Sequence, residues 1–426
     1  MKYYWLFFLL LCSNAVFGQI NYEQYFTQNA MRIDFLLAGD SEKEEIYLQY
    51  LKKEKPWAGT TEHLITPFEY GNYAIKAESK NGKLIYFRGF STLFEEWVTT
   101  DLAKSRKRAF QQTIRMPFPK EQVTIKIQKR NYDSGKFNTI LKREIDPSSH
   151  FITDENPKKV NYTTIQNNGA ANSKADIAFV SEGYRKEDMR KFRADVKKIT
   201  SYIFNQKPFN KHKKNFNIYA VEAVSEEQGP DKPDEDIYRN TALNSSFNTF
   251  NSPRYLTSTD TWKIRDIAAI VPYDHIIMLT NTDRYGGGGF YNHLSISSVD
   301  HHYSKEVLIH EFGHGFAGLG DEYYNSEVAY SEFYNLNVEP WEPNITTRTE
   351  FSSKWKDLIK DGTPIPTPRE SKYSDKIGLF EGGGYLSEGI YSPNMDCRMK
   401  SNISPGFCPV CQKAIEEMIL YYTGEL

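Results

Sequence analysis

The sequence has little cysteine and no marked excess of either charge. It contains four cysteines in 426 residues, and its formal net charge is −2 at pH 7. A near-neutral balance gives no overall attraction to nucleic acid or to an anionic membrane. The basic runs at 104–108 and 211–214 lack the interleaved aromatic residues that would stack on bases. We therefore expect no nucleic-acid partner.

Long apolar runs are also missing beyond the first residues. The chain begins MKYYWLFFLLLCSNAVFG, where one lysine precedes a short apolar run and then small residues. This pattern is typical of a secretory signal peptide, which we predict over 1–18. A lipid anchor on Cys12 is the weaker alternative, because Leu11 stands where such signals favour a small residue. No later stretch reaches about 18 apolar residues, so we expect a secreted, periplasmic or surface protein without an integral membrane segment.

Removal of the predicted signal peptide would leave three cysteines, Cys397, Cys408 and Cys411. In an oxidising compartment the simplest expectation is one disulfide and one free thiol with a structural role. The CPVC at 408–411 could also be a redox pair or half of a zinc knuckle. The first would need a thioredoxin-like βαβ context and the second another ligand pair, and the sequence indicates neither.

The first part of the chain has the pattern of a β domain. Residues 73–79 and 83–89 alternate apolar and polar side chains around Asn81-Gly82, which predicts a hairpin. Further alternating segments at 122–129 and 137–145 extend the pattern. We predict an all-β sandwich over 19–162, without catalytic residues, for which a spacer, docking or carbohydrate-binding role is open.

A polar, glycine-bearing stretch at 163–174 predicts a linker. The domain at 175–426 is predicted to be α/β (α+β), because its strand–helix–strand order implies a parallel crossover. The predicted elements are a strand at 175–184, a helix at 185–205, and strands at 216–224 and 275–281.

The stretch HEFGHGFAGLGDE at 310–322 carries the chemistry. His310 and His314 are one helical turn apart and so lie on one helix face. Both imidazoles can then reach one zinc ion at about 2.0–2.1 Å. Glu311 lies beside them and can take a proton from the attacking water, as in other H-E-x-x-H hydrolases.

A catalytic zinc site keeps three protein ligands, so the chain must turn back after the helix. Gly318 can end the helix with positive φ and reverse the chain. We predict that Asp321 is the third ligand. Glu322 is the alternative, and Glu332 from a later helix is a further one.

The glycine run after Tyr285 is a second feature. No Gly-Lys-Ser/Thr follows it, so it is not a phosphate loop. Glycines that lead into a strand would let an extended substrate backbone approach and pair with the strand edge. A mobile surface loop is the alternative. The predicted substrate-binding residues are Tyr285, Gly286, Gly287, Gly288 and Gly289.

The stretch at 310–323 resembles the signature of the IgA metallopeptidase family, family 64 of the metallopeptidases. DIAFVSEGY, YGGGG, FEGGGY, CRM and FCPVC also resemble pieces of that family, and together they span about 175–420. The β-rich first part is similar to the N-terminal domain of gut Bacteroides-type members. The resemblance implies an exported zinc endopeptidase with a metzincin-like catalytic domain, but it implies no particular substrate.

Carried over to this chain, the family motif implies zinc on His310, His314 and Asp321, with Glu311 as general base. The segment between His314 and Gly318 is one residue longer than the metzincin spacing, and the third ligand is a carboxylate instead of histidine. The resemblance also implies a methionine beneath the metal, with Met399 favoured over Met395. Tyr391 and Tyr385 are the candidates for stabilising the oxyanion.

We therefore predict a secreted zinc-dependent endopeptidase that acts on polypeptides, with Zn²⁺ as cofactor and Glu311 as general base. One alternative is a zinc hydrolase of non-protein amides, which a glycine-rich substrate edge disfavours. The other is a non-catalytic adhesion protein on a peptidase scaffold, which retention of both histidines and Glu311 disfavours. The sequence assigns no oligomeric state.

Overall fold

The computed structural model describes residues 20–154, 156–324 and 333–426. The predicted signal peptide with Cys12, and the alternative ligand Glu332, lie outside these ranges. The described chain is a mixed α+β protein in which strands predominate, with an N-terminal β domain followed by a second sheet and its helices. Within these ranges, no helix combines the length and the apolar character needed to cross a membrane.

The N-terminal β domain consists of two four-stranded sheets. Its elements are α1 (Tyr22–Tyr25), β1 (Phe26–Gly39), β2 (Glu44–Glu54), β3 (Tyr73–Ser79), β4 (Leu84–Phe90), α2 (Leu93–Trp97), β5 (Arg108–Pro119), β6 (Val123–Arg130), β7 (Phe137–Ile145) and β8 (Ile152–Thr153). The strand orders are β5–β1–β2–β8 and β4–β3–β6–β7. One hydrophobic cluster joins the sheets, with the rings of Phe35 and Phe90 at 6.3 Å. The predicted hairpin is confirmed as the antiparallel β3–β4 pair.

A six-stranded sheet and its helices form the second part. Its elements are β9 (Asn161–Gln166), β10 (Ala175–Glu182), α3 (Met189–Ile203), β11 (Phe216–Glu222), β12 (Ser245–Ser246), β13 (Thr257–Ser258), α4 (Thr261–Ala268), β14 (His275–Thr280), β15 (Gly287–Phe290), β16 (Leu294–Ser298), α5 (Ser304–Ala317), β17 (Phe380–Gly383), β18 (Leu386–Ser392) and α6 (Pro409–Thr423). The large sheet has the order β15–β16–β14–β10–β11–β9.

The central strands β16, β14, β10 and β11 are parallel, and the two edge strands β15 and β9 run antiparallel to their neighbours. Helix α3 connects β10 to β11, which confirms the predicted parallel crossover. Alternate residues of β10 enter different cores. Ile177 and Phe179 pack with α3, α5 and α6, whereas Ala178 and Val180 pack with α4. Helices on both faces explain why every residue of β10 is buried.

The predicted linker at 163–174 is partly wrong, because its first four residues belong to strand β9 (Asn161–Gln166). β9 pairs antiparallel with β11, and the Gln166 side chain donates a hydrogen bond to Phe216 O at 3.0 Å. A polar sequence suits an edge strand with one solvated side, so composition alone did not distinguish it from a linker. The predicted boundary at 162 therefore falls inside a strand.

The expected disulfide is not present, because all three described cysteines are free thiols. Cys397 Sγ lies 3.7 Å from Cys411 Sγ. A disulfide needs about 2.05 Å. The three thiols nevertheless lie close together in the core beside α6.

Arg32 of β1 links the two parts of the molecule. Its guanidinium is fully buried and bonds Asp34 Oδ1 from the same strand at 2.7 Å. It also reaches Asp266 Oδ1 of α4 at 2.7 Å and Glu54 Oε1 at 3.2 Å. A buried cation among carboxylates is costly to remove, because the carboxylates then remain in the core without their partner.

We expect Arg32→Met to lower the free energy of unfolding by about 3–5 kcal/mol, since Asp34 stays buried without its cation. The control is Lys53→Met, which removes the more exposed ion pair of 2.9 Å with Asp154 and should cost less than about 1 kcal/mol. Urea denaturation measures both. Equal midpoints for the two variants would contradict the role given to Arg32.

Candidate metal centre and active site

The predicted histidine helix is α5 (Ser304–Ala317), which packs under β15 and β16 at one edge of the large sheet. Gly318 ends it in the left-handed conformation with φ 65°, and its N–H donates to His314 O at 3.0 Å. A residue with a side chain would be strained there. The reversal predicted at Gly318 is confirmed, and it brings Asp321 back beside the helix.

His310, His314 and Asp321 converge on one point. The two Nε2 atoms are 3.0 Å apart. Asp321 Oδ1 lies 3.0 Å from His310 Nε2 and 3.3 Å from His314 Nε2. Ligand atoms about 2.0–2.1 Å from a tetrahedral ion are about 3.3 Å apart, so the three atoms have the spacing of three zinc ligands.

Backbone carbonyls orient both imidazoles. His310 Nδ1 lies 3.0 Å from Arg398 O, and His314 Nδ1 lies 2.5 Å from Leu319 O. A carbonyl accepts only from a protonated nitrogen, so each Nδ1 carries the hydrogen. In the neutral imidazole this leaves the Nε2 lone pair facing the convergence point, as metal-binding histidines require.

The carboxylate of Asp321 also fits a cation at this point. Its Oδ1 is buried and has no hydrogen-bond partner of good geometry among the described residues. The Nε2 atoms of His310 and His314 are nevertheless close to it. Its Oδ2 accepts a hydrogen bond from the Tyr385 hydroxyl at 2.6 Å. Burial would lower the pKa of His314, but Asp321 raises it to about 9. The donor set therefore favours positive charge at the convergence point and suits zinc.

The carboxylate of the next residue, Glu322, points away from the convergence point. Glu322 Oε1 accepts from Asn344 Nδ2 at 2.9 Å and contacts Cys411 Sγ at 3.1 Å. Its backbone N–H donates to Met399 O at 2.8 Å.

Met399 lies under α5, where a Cβ added to Gly313 would come within 2.9 Å of its Sδ. Met395, the alternative methionine, is not among the buried core residues.

A cleft of about 360 Å³ opens over the convergence point. The two histidine side chains keep 15% and 16% of their surface exposed, so the cleft reaches them. Glu311 also lines it, between the histidines and β15. Burial raises the pKa of Glu311, and the two imidazoles limit the rise. A carboxylate with a raised pKa is better matched to proton transfer near neutral pH.

The glycine run forms the edge strand β15. Tyr285 and Gly287–Gly289 line the cleft, but Gly286 does not. A Cβ on Gly286 would lie 2.4 Å from Arg254 O, so this residue packs against the protein. Tyr255 forms a parallel bridge with Gly287, which covers part of the outer edge of β15.

The two tyrosines proposed for the oxyanion occupy different places. Tyr385 lines the cleft and its hydroxyl donates to Asp321, as described above. The hydroxyl of Tyr391 lies outside the cleft lining and donates to Glu381 Oε1 at 3.2 Å. A further tyrosine, Tyr323, stacks on His310 with 6.3 Å between ring centroids.

Sequence reasoning missed the contribution of the N-terminal domain to the cleft. Ser91, Glu95 and Glu96, in and before α2, form part of its wall. The Thr92-x-x-Glu95 pattern is a capping box that predicts the helix. It does not predict that the helix faces this cleft, because that depends on how the two parts of the molecule pack.

Two family models match the chain. One, described as IgA Peptidase M64, matches residues 163–373 and 369–419. The other, described as Peptidase M64 N-terminus, matches residues 21–142. No curated protein matches the chain significantly.

We expect Gly289→Ala to destabilise the protein by about 1–3 kcal/mol, because overpacking must push β15 away from α5. The new Cβ would lie 2.4 Å from Glu311 O and 3.0 Å from His314 Cβ. Gly406→Ala is the control, since its nearest neighbour is Gln206 Oε1 at 3.4 Å; we expect a change within about 0.5 kcal/mol. Denaturant unfolding of both variants is the measurement, and equal stabilities would contradict the close approach of β15 to α5.

Proposed function

Since the chain belongs to the M64 peptidase family, we propose that it is a secreted zinc-dependent endopeptidase with a metzincin-like catalytic domain. The observation that carries this proposal is the convergence of His310 Nε2, His314 Nε2 and Asp321 Oδ1 beside Glu311 in an open cleft. Membership of the family supports hydrolysis of peptide bonds, and the ligand set supports zinc.

His310, His314 and Asp321 are the proposed ligands. A zinc ion held by them would supply a Lewis acid for the substrate carbonyl and would lower the pKa of a water molecule. Arg398 O and Leu319 O fix the two rings, and Tyr385 fixes the carboxylate. Such outer contacts keep ligand atoms in place and raise their basicity.

Glu311 is the proposed general base. It follows His310 directly on α5 and lines the same cleft, so its carboxylate can face the attacking water. It takes a proton from that water as the hydroxide attacks the peptide carbonyl, and then returns the proton to the leaving amine. Its raised pKa makes uptake of the proton from water less unfavourable, so uptake and return of the proton differ less in free energy.

Strand β15 is the proposed binding edge for an extended substrate. It is one of the two edge strands of the large sheet, and Gly287, Gly288 and Gly289 line the cleft. Substrate pairing would centre on Gly289, because Tyr255 already bridges Gly287. Main-chain pairing suits polypeptides of many sequences, which agrees with a peptidase. The wall formed by α2 lies next to the end of β15, where Ser91 N–H donates to Tyr291 O at 2.9 Å, and would also contact the substrate.

We expect Glu311→Gln to reduce peptide hydrolysis by about 10²–10⁴-fold, because the amide cannot accept the proton. Bound zinc should stay unchanged, since Glu311 is not a proposed ligand. Glu306→Gln on the same helix is the control: Glu306 lies outside the cleft lining, bonded to the Tyr202 hydroxyl at 3.1 Å. It should keep full activity.

Cleavage of a mixed peptide library and zinc content by mass spectrometry are the two measurements. Undiminished cleavage by Glu311→Gln would contradict its role. Zinc without peptide cleavage in the unsubstituted protein would favour an amide hydrolase or an adhesion protein.

We expect Tyr385→Phe to reduce zinc affinity or activity by about 10–100-fold, the usual effect of removing an outer-shell hydrogen bond. Tyr391→Phe is the matched control and should change neither, because its hydroxyl bonds Glu381 outside the cleft lining. Zinc dissociation constants and initial rates should be measured for both. Loss of activity in Tyr391→Phe but not in Tyr385→Phe would contradict the role proposed for the Tyr385 hydroxyl.

A further inference from the structure

A second group of metal-ligating side chains lies in the core behind the candidate active site. It comprises Glu322, Cys397, Cys408 and Cys411, whose ligand atoms all lie within 4.8 Å of one another. All four residues are buried, and Glu322, Cys397 and Cys411 have no exposed surface. None of them lines the catalytic cleft.

The distance between two of the sulfur atoms fits a metal site and is too long for a disulfide. Cys397 Sγ and Cys411 Sγ are 3.7 Å apart. Two thiolates on a tetrahedral zinc ion, with Zn–S of about 2.3 Å, lie about 3.8 Å apart. A disulfide would require about 2.05 Å. Glu322 Oε1 completes the group at 3.1 Å from Cys411 Sγ.

Two further features of the group favour binding of a cation among these ligands. Oε2 of Glu322 is buried, and no residue in the described part of the chain donates a hydrogen bond to it. A carboxylate buried in this way needs a compensating positive charge, and Lys400, the charged side chain that acts on it, makes no hydrogen bond to it. The backbone N–H of Cys408 donates to Cys397 Sγ at 3.2 Å, which stabilises negative charge on that sulfur.

We propose that Glu322, Cys397, Cys408 and Cys411 bind a second divalent cation, zinc or a metal of similar softness, as a closed structural site. Thiolates select soft or borderline metals, and four protein ligands leave no position for water or substrate. Cys397 and Glu322 supply the second ligand pair that the CPVC at 408–411 needs to act as a zinc knuckle.

This ion would join three segments of the chain: the turn after α5, the loop at 397–399 and the start of α6. The first carries Glu322 directly after Asp321, and the second carries Arg398, whose carbonyl holds His310. A hydrogen bond of 2.8 Å from Glu322 N–H to Met399 O already connects these two segments. The second site would thus brace the wall of the first, but its existence does not depend on the proposed function.

The test uses the His310→Ala/His314→Ala double variant, in which the first site is disabled and all four ligands of the second remain. Purified with Zn²⁺ present but without chelator or reductant, and then desalted, it should retain one zinc per chain. X-ray absorption should show sulfur neighbours at about 2.3 Å. The adjacent pair variant His301→Ala/His302→Ala is the control and should keep two zinc ions.

Adding Cys408→Ser and Cys411→Ser to the double variant should remove the remaining ion and lower the melting temperature. No zinc in the double variant, or zinc without sulfur neighbours, would overturn the proposal. A disulfide between any two of the three cysteines, mapped by differential alkylation, would also overturn it. If the double variant does not fold, zinc content and X-ray absorption are measured on the unsubstituted protein. Two zinc ions per chain with sulfur neighbours would support the proposal. One zinc ion with only nitrogen and oxygen neighbours would contradict it.

Discussion

Two imidazole nitrogens and one carboxylate oxygen lie 3.0–3.3 Å from one another. Their lone pairs repel unless a proton or a metal ion lies between them, and other contacts hold the three side chains in place. Leu319 O and Arg398 O hold the imidazoles, and the Tyr385 hydroxyl holds the carboxylate. These contacts come from three separate parts of the C-terminal half, which explains why the packing of that half determines the site.

The local elements were predictable from the sequence because their signals are local. A helical period, two histidines four residues apart and a following glycine suffice to predict α5 and the reversal at Gly318. Alternation around Asn81-Gly82 likewise predicts the β3–β4 hairpin. Strand β9 was missed, because an edge strand with polar residues on its solvated side has the composition of a linker.

The parts of the site that depend on tertiary packing were not predictable. The sequence leaves Asp321 and Glu322 as alternatives, since adjacent residues after a turn point in opposite directions and only the surroundings decide which faces the histidines. In the structure Asp321 faces the histidines, whereas Glu322 faces the cysteines. The expected disulfide failed for the same reason: the sequence does not show that Cys397 and a carboxylate lie beside the CPVC. The contribution of α2 to the cleft also depends on how two domains pack.

The most direct test of this account is anomalous diffraction at the zinc edge from crystals of the full protein grown with Zn²⁺. The account predicts a peak about 2.0–2.2 Å from His310 Nε2, His314 Nε2 and Asp321 Oδ1, with the carboxylate of Glu311 beside it but not bound. No peak at that point, or a peak there with Glu322 in place of Asp321, would contradict the central claim.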